Sequence, residues 1–254
     1  MSSFDEIQQF VQAANRVTEF EELKNLLGST VRSLGFDHYA LFNHIRPSTS
    51  KEYPVRLHDY PDAFGELFRE KGYLHDDPVL VACQKSAVPF TWEDVPQLVS
   101  LTPKQKEVFD APKLAGISSS FIVPIHIPGE STASCTFAMR LGRDFPKTSF
   151  PAAQYVSCFA FEAARRVSQR MVTKKGRVFQ RAVSPKLTRR QLDCVVLAGR
   201  GKSDRDIAQI LGISNQTVHQ HMEDAKRKYD VATRIQLIVC ALFDNHVAFA
   251  DLVN

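Results

Sequence analysis

A chain of 254 residues, 44% apolar and 24% charged, holds enough material for two ordinary globular domains, and a formal charge of +4 does not mark it as a polycation. No run reaches the ~20 apolar residues of a membrane-spanning helix, and the polar opening Ser2-Ser3-Phe4-Asp5-Glu6 does not read as a secretory leader. The five cysteines, Cys83, Cys135, Cys158, Cys194 and Cys240, are scattered in apolar runs without Cys-x-x-Cys or Cys/His spacing, so buried free thiols in a soluble cytoplasmic protein without a metal centre are expected.

From the amino end, Phe4, Ile7, Phe10, Val11 and Ala14 predict an amphipathic helix over 4–14. Leu23, Leu26, Leu27 and Val31 predict a second over 20–34, stopped by Gly35. A strand follows at 38–45, then a loop rich in Pro and Ser and a short strand near 54–57. Helices are expected at 61–71, 77–84 and 103–114. Residues 119–127 and 132–141 read as a hairpin around Pro128-Gly129. A long helix over 151–171 carries Phe159, Phe161 and Ala164. This order predicts an α+β class, an α-β-α sandwich with an antiparallel sheet covered by helices on both faces, which can enclose a small molecule.

Positive charge then concentrates. Ten Lys or Arg residues occur between Arg165 and Arg190 with no acidic residue among them. The stretch 172–186 reads as a basic linker between a small-molecule domain over 1–171 and a second domain over 187–254. In the latter, Thr188 and Gln191 have capping-box spacing, Gly201-Lys202 breaks the first helix, and Ser203 caps a second with Ile207, Ala208, Ile210 and Leu211 turned inward. Gly212-Ile213-Ser214 makes a tight turn into a third helix with Val218, Met222 and Ala225 inside. This is the design of a helix-turn-helix in an all-α, four-helix domain. A merely solvated hairpin is the competing reading, and the basic cluster, with Lys226, Arg227 and Lys228, weighs against it. Gln216, His219, Gln220 and Glu223 are the candidates for base edges. Asn215, Thr217, Lys202, Ser203, Lys226 and Arg227 are the candidates for phosphates, and His221 packs structurally. The last helix, over 234–243, carries Ile235, Ile238, Val239 and Leu242, shared between domain core and a face that packs two copies. A homodimer on a near-palindromic duplex follows.

In the first domain, Tyr60-Pro61, Phe64, Phe68, Asp77-Pro78 and Trp92 form a chemical cluster. Phe64 and Phe68 share a helix face, and Asp77 before a proline caps a helix or aims at a ligand. Ordinary core aromatics and an ordinary cap remain the plainer interpretation.

Tyr60-Pro61, Asp77-Pro78 and Trp92, with Leu187-Thr188, Gly201-Lys202-Ser203, Ile207-Ala208, Leu211, Ile213-Ser214, Thr217-Val218 and His221, resemble the LuxR-type quorum-sensing transcription regulators over almost the whole chain. The resemblance implies an N-acyl homoserine lactone as ligand and no cofactor. Asp77 would accept from the ligand amide, Tyr60 would donate to the acyl carbonyl, and Trp92 would wall the chamber. The chain departs from the family at Phe64, where tryptophan is usual, at Phe68, where tyrosine is usual, and at Ser120, where glycine is usual. Phenylalanine cannot donate a hydrogen bond, so an aryl or branched acyl group, or another head group, is accommodated. The strand over 132–141 supplies one further contact, Thr136 or Cys135, with Thr136 preferred. The alternative is a regulator of the same type that is ligand-free or senses a non-lactone molecule. No nucleophile elbow, Walker loop or His-Glu-x-x-His motif occurs, so no enzyme is expected.

Overall fold

The computed structural model describes residues 3–44, 55–61, 68, 70–73, 76–114, 116–127, 130–174 and 185–253. The chain divides into two compact units, a first made of Met1–Ile127 and Ser131–Phe179 and a second built on Gln180–Asn254.

The first unit is a five-stranded antiparallel sheet among the described residues, with strands β1 (His38–Asn43), β2 (Arg56–His58), β3 (Phe90–Thr91), β4 (Ile117–Ile125) and β5 (Ala133–Arg140) in the order β2-β1-β5-β4-β3. Alternation along the strands sorts the side chains by face. Tyr39, Leu41, Phe121, Val123, Cys135, Phe137 and Met139 turn one way and share a core with α1 (Ser3–Arg16), α2 (Phe20–Ser33) and α6 (Phe150–Lys174). Leu23, Leu27 and Val31 of α2 are fully buried there, each worth about 1.5–3 kcal/mol of burial. Ala153, Ala160 and Ala164 let α6 lie close to the sheet. On the other face Ile122 packs with Ala82, Cys83, Phe90, Val95 and Val99, contributed by α3 (Pro78–Lys85), α4 (Val95–Leu98) and their surroundings. Helix α5 (Pro103–Leu114) completes this layer.

Several expectations are corrected. The helix expected to stop near 171 runs on to Lys174, into the stretch read as linker, because nothing in Val172-Thr173-Lys174 breaks it. Strand β3 and the 3-10 turn Trp92–Asp94 were unforeseen, since two or three residues carry no period. The turn at Pro128-Gly129 and most of the helix expected over 61–71 lie outside the described residues. All five thiols are free, but only Cys83, Cys135 and Cys194 are buried; Cys158 is exposed on α6 and Cys240 is half-buried.

The second unit holds α7 (Arg189–Gly199), α8 (Asp204–Leu211), α9 (Asn215–Tyr229) and α10 (Arg234–Phe243). Each start is capped by its own sequence. Thr188 pairs reciprocally with Gln191, Ser203 with Asp206 and Thr233 with Gln236, while the Ser214 hydroxyl accepts from the Thr217 amide at 3.0 Å. Such caps contribute about 1 kcal/mol apiece. Gly212 ends α8 at φ 65°, a left-handed position that admits the tight turn into α9. Cys194, Val195, Ile207, Val218, Met222, Ala225, Leu237 and Ala241 form the core. Ile210, expected inside, is 54% exposed: it lies three residues past Ile207 on the outer side of a helix only eight residues long.

Candidate functional site

The sheet face beneath α3 collects most of the chemistry. Asp77 is the cap of α3, and Pro78 at the first helical position fixes the entry of the chain. The Asp77 Oδ1 accepts from the Val79 amide at 2.9 Å, and its Oδ2 meets no hydrogen-bond partner among the described residues. Burial lifts the carboxyl to about 6, against the lowering effect of the Val79 N–H. Yet Asp77 is only half-buried by accessible surface. A carboxyl that is poorly solvated yet keeps accessible surface is open to an incoming donor. Tyr60 has the same combination: burial, then the charges of Asp59, Cys135 and Asp77, hold its hydroxyl well above the usual phenol range while part of its surface stays open. Tyr60 is placed by its neighbour, since the Asp59 carboxylate accepts from the Tyr39 amide at 2.7 Å and the Asp59 carbonyl lies 3.1 Å from the His38 ring nitrogen. The Tyr60 ring then sits 5.9 Å from that of His38.

Thr136 pairs with Ala40 and with Ile122, which puts its side chain on the α3 side. Cys135 points the other way, into the core under α1, α2 and α6. Ser120, opposite Ala138, shares the face of Thr136. Neither the Ser120 nor the Thr136 hydroxyl hydrogen-bonds anything among the described residues. Trp92 stands on the 3-10 turn, its ring edge-on to Phe109 at 5.5 Å, beside Ala82, Cys83 and Ile122. Its Nε1 is buried without a hydrogen-bond partner among the described residues. Phe68 packs edge-on to Tyr73 at 5.5 Å in a cluster with Val108 and Ala111. Phe64 falls outside the described residues. Two side chains on this face were missed by the sequence reading. The Ser134 hydroxyl lies 2.9 Å from the His44 Nε2. The two-residue step from Thr136 to Ser134 was the available signal. One free carboxylate oxygen, a phenol, two unengaged hydroxyls and apolar walls suit an amphiphile with an N–H donor.

In the second unit, α9 presents Asn215, Gln216, Thr217, His219 and Gln220 to solvent. Further along, the polar groups are tied to one another. The Gln220 Nε2 donates to Asp224 Oδ1 at 2.8 Å, and Arg227 bonds the same carboxylate. The Lys226 ammonium lies 2.6 Å from Glu223 Oε1, holding that carboxyl below its usual range, and also reaches the Ala232 carbonyl. Glu223 and Lys226 are therefore partly neutralised before any duplex arrives. The Ser203 hydroxyl and amide are both engaged in the cap, donating to Asp206 Oδ2 at 2.7 and 2.9 Å. Lys202 is exposed, and its carbonyl accepts from Arg234 at 2.6 Å; Arg234 also bonds Asp204 at 2.7 Å, clamping α10 to α8. The His219 Nδ1 stands 3.8 Å from Asp204. His221 is half-buried. On α10, Ile235 is 73%, Val239 57% and Phe243 42% exposed, while Ile238 and Leu242 pack partly on the domain core.

The autoinducer binding domain family matches residues 19–167, and the family of bacterial regulatory proteins, luxR family, matches residues 185–241. The transcriptional activator protein AhyR of Aeromonas hydrophila is 27% identical over 241 residues, covering 92% of this chain and 89% of its own. The fold is similar to that of Escherichia coli SdiA in complex with octanoyl-rac-glycerol, with a TM-score of 0.60, 19% identity and 96% of each chain covered. It is also similar to the N-acylhomoserine lactone dependent factor CepR2 of Burkholderia cenocepacia, with a TM-score of 0.50 and 10% identity over 68% of this chain and 99% of that one. The chain belongs to the LuxR family of bacterial regulatory proteins, joining an autoinducer-binding domain to a helix-turn-helix DNA-binding domain.

Proposed function

We propose that this protein is a cytoplasmic quorum-sensing regulator that takes an N-acyl homoserine lactone into its first domain and, as a homodimer, binds a near-palindromic duplex through α9. Asp77 accepts from the ligand amide through Oδ2. Tyr60 donates to the acyl carbonyl, Ser120 and Thr136 offer hydroxyls, and Trp92 walls the chamber. The observation that carries this reading is the half-engaged carboxylate of Asp77 on a face with two unengaged hydroxyls. A hydrogen bond to a charged group is worth about 1.5–3 kcal/mol. Gln216, His219 and Gln220 read base edges, with Asn215, Thr217, Lys202, Lys226 and Arg227 on phosphates and Glu223 a reader only once it parts from Lys226. A thermal-shift panel of acyl homoserine lactones on the full chain tests the first half. At a hundredfold excess over Kd, about 2.7 kcal/mol of stabilisation is expected. A panel without any shift sinks the lactone assignment.

A second reading is a non-lactone amphiphile. Phe64 favours it, since phenylalanine offers no donor to a lactone carbonyl, and SdiA holds octanoyl-rac-glycerol within a similar fold. Mass spectrometry of the small molecule that copurifies with the protein separates the two.

A further inference from the structure

We propose that His44 and Ser134 form a second polar station along the same chamber face, so that the ligand carries a hydroxyl on its acyl tail rather than ending in plain hydrocarbon. This inference rests on the acyl lactone reading and refines it. His44 directly follows β1, and its amide extends the ladder by donating to the Thr132 carbonyl at 2.7 Å. Its ring lies over the α3-facing side of the sheet, because Nε2 is 2.9 Å from the Ser134 Oγ. Ser134 shares that side with Thr136 and is one pair of strand residues away, about 7 Å. Cys83 lies on α3 and packs against Ile122 on this side of the sheet, near enough to Asp77 for that carboxylate to help push the thiol up to about 12 after burial has done most. The groups therefore form a continuous row from the amide anchor to His44.

The other ring nitrogen is the informative atom. His44 Nδ1 is buried and has no hydrogen-bond partner among the described residues. Leucine or valine would fill a strand end over an apolar face without leaving a polar atom unpaired. A neutral imidazole offers one N–H and one lone pair, and the Ser134 hydroxyl rotates to match either tautomer, so Nδ1 is available as donor or acceptor to a hydroxyl. Burial, then the neighbouring His126, hold the ring at about 4, so it is neutral near pH 7. His126, exposed and bonded to the Ser86 carbonyl at 3.0 Å, bounds this end of the row.

A serine hydroxyl beside a histidine nitrogen is also the pairing of an acyl-transfer nucleophile with its base. Here the histidine is a weak base, and no carboxylate orients Nδ1. The pair holds the tail and leaves the amide and lactone intact.

The test uses the full chain and two matched pairs of homoserine lactones: 8-hydroxyoctanoyl against octanoyl, and 3-(4-hydroxyphenyl)propanoyl against 3-phenylpropanoyl. The hydroxylated member of at least one pair is expected to bind about tenfold tighter, and to be recovered unchanged. His44→Leu should erase that preference and leave the parent compound bound as before; Ser134→Ala should weaken the preference if the leucine variant does not fold. Equal affinity within both pairs overturns the inference while the lactone reading survives, as does a preference that persists in both variants. Hydrolysis of the bound compound overturns it as well. Binding of no lactone at all overturns both.

Discussion

An ionised carboxylate in an apolar chamber destabilises the fold until a donor reaches it, and Asp77 is held in that position. Its folded value of about 6 lies above the 3.8 of an open aspartate, so the folded state keeps the proton longer. Stability therefore falls as pH rises from about 4 to about 6 and stays low above that, a loss of about 3 kcal/mol for a gap of this size. Asparagine caps a helix as well as aspartate does. Asp77→Asn should thus raise the unliganded stability at pH 7.5 by about 1–3 kcal/mol in urea unfolding, with the gain gone below pH 4, and should abolish the thermal shift given by lactone. His44 works in the opposite sense. Its folded value of about 4 lies below the usual 6.5, so the stability present above 6.5 is lost as pH falls toward 4. In the wild type the two slopes offset each other. His44→Leu should leave the Asp77 slope alone, with unliganded stability rising as pH drops from 6 to 4; a flat profile in that variant would contradict the Asp77 assignment, and a wild-type profile as steep as the variant's would contradict that of His44. Asp77-Pro78 was legible in the sequence because a cap is a local device. His44 and Ser134 were not, because their meeting depends on the registry of β1 with β5.

Strands and helices differ in how openly they declare themselves. The helices of the second unit begin at Thr188, Ser203, Ser214 and Thr233, each followed within three residues by the group that closes its cap, so their starts were readable. The choice between Thr136 and Cys135 needed a strand count that the turn at Pro128-Gly129 left open by one residue, and a slip of one residue exchanges the faces. The pairing of Thr136 with Ala40 and Ile122 decides which of the two faces α3. For α9, the exposed and tied groups should behave differently in DNA titrations followed by fluorescence anisotropy. Gln216→Ala should cost about 1–3 kcal/mol on the preferred site and relax discrimination at one base pair. Lys202→Ala should weaken all sequences alike and lower the salt slope by about one.

At the scale of the molecule, the division was visible from the basic stretch between Arg165 and Arg190, which falls where one family match ends and the other begins. What the sequence left mixed was α10, whose apolar residues serve two purposes. Leu237 and Ala241 are buried, whereas Ile235, Val239 and Phe243 stand open at helical spacing. Val239→Glu should leave ligand binding and melting of the first unit unchanged. It should also shift the liganded protein to monomer in sedimentation and reduce affinity for a two-half-site duplex far more than for a single half-site. A dimer that persists with this substitution would move the proposed dimer contact elsewhere. The Asp77 side chain bears on how the whole receptor selects its guest. Because one of its oxygens is already pinned by Val79, the other keeps a fixed bearing whether or not anything occupies the chamber. In the proposed complex an arriving amide would meet an acceptor with little rotational entropy left to surrender, so this contact would favour every acyl amide about equally, and the choice among them would fall to the groups that meet the rest of the molecule.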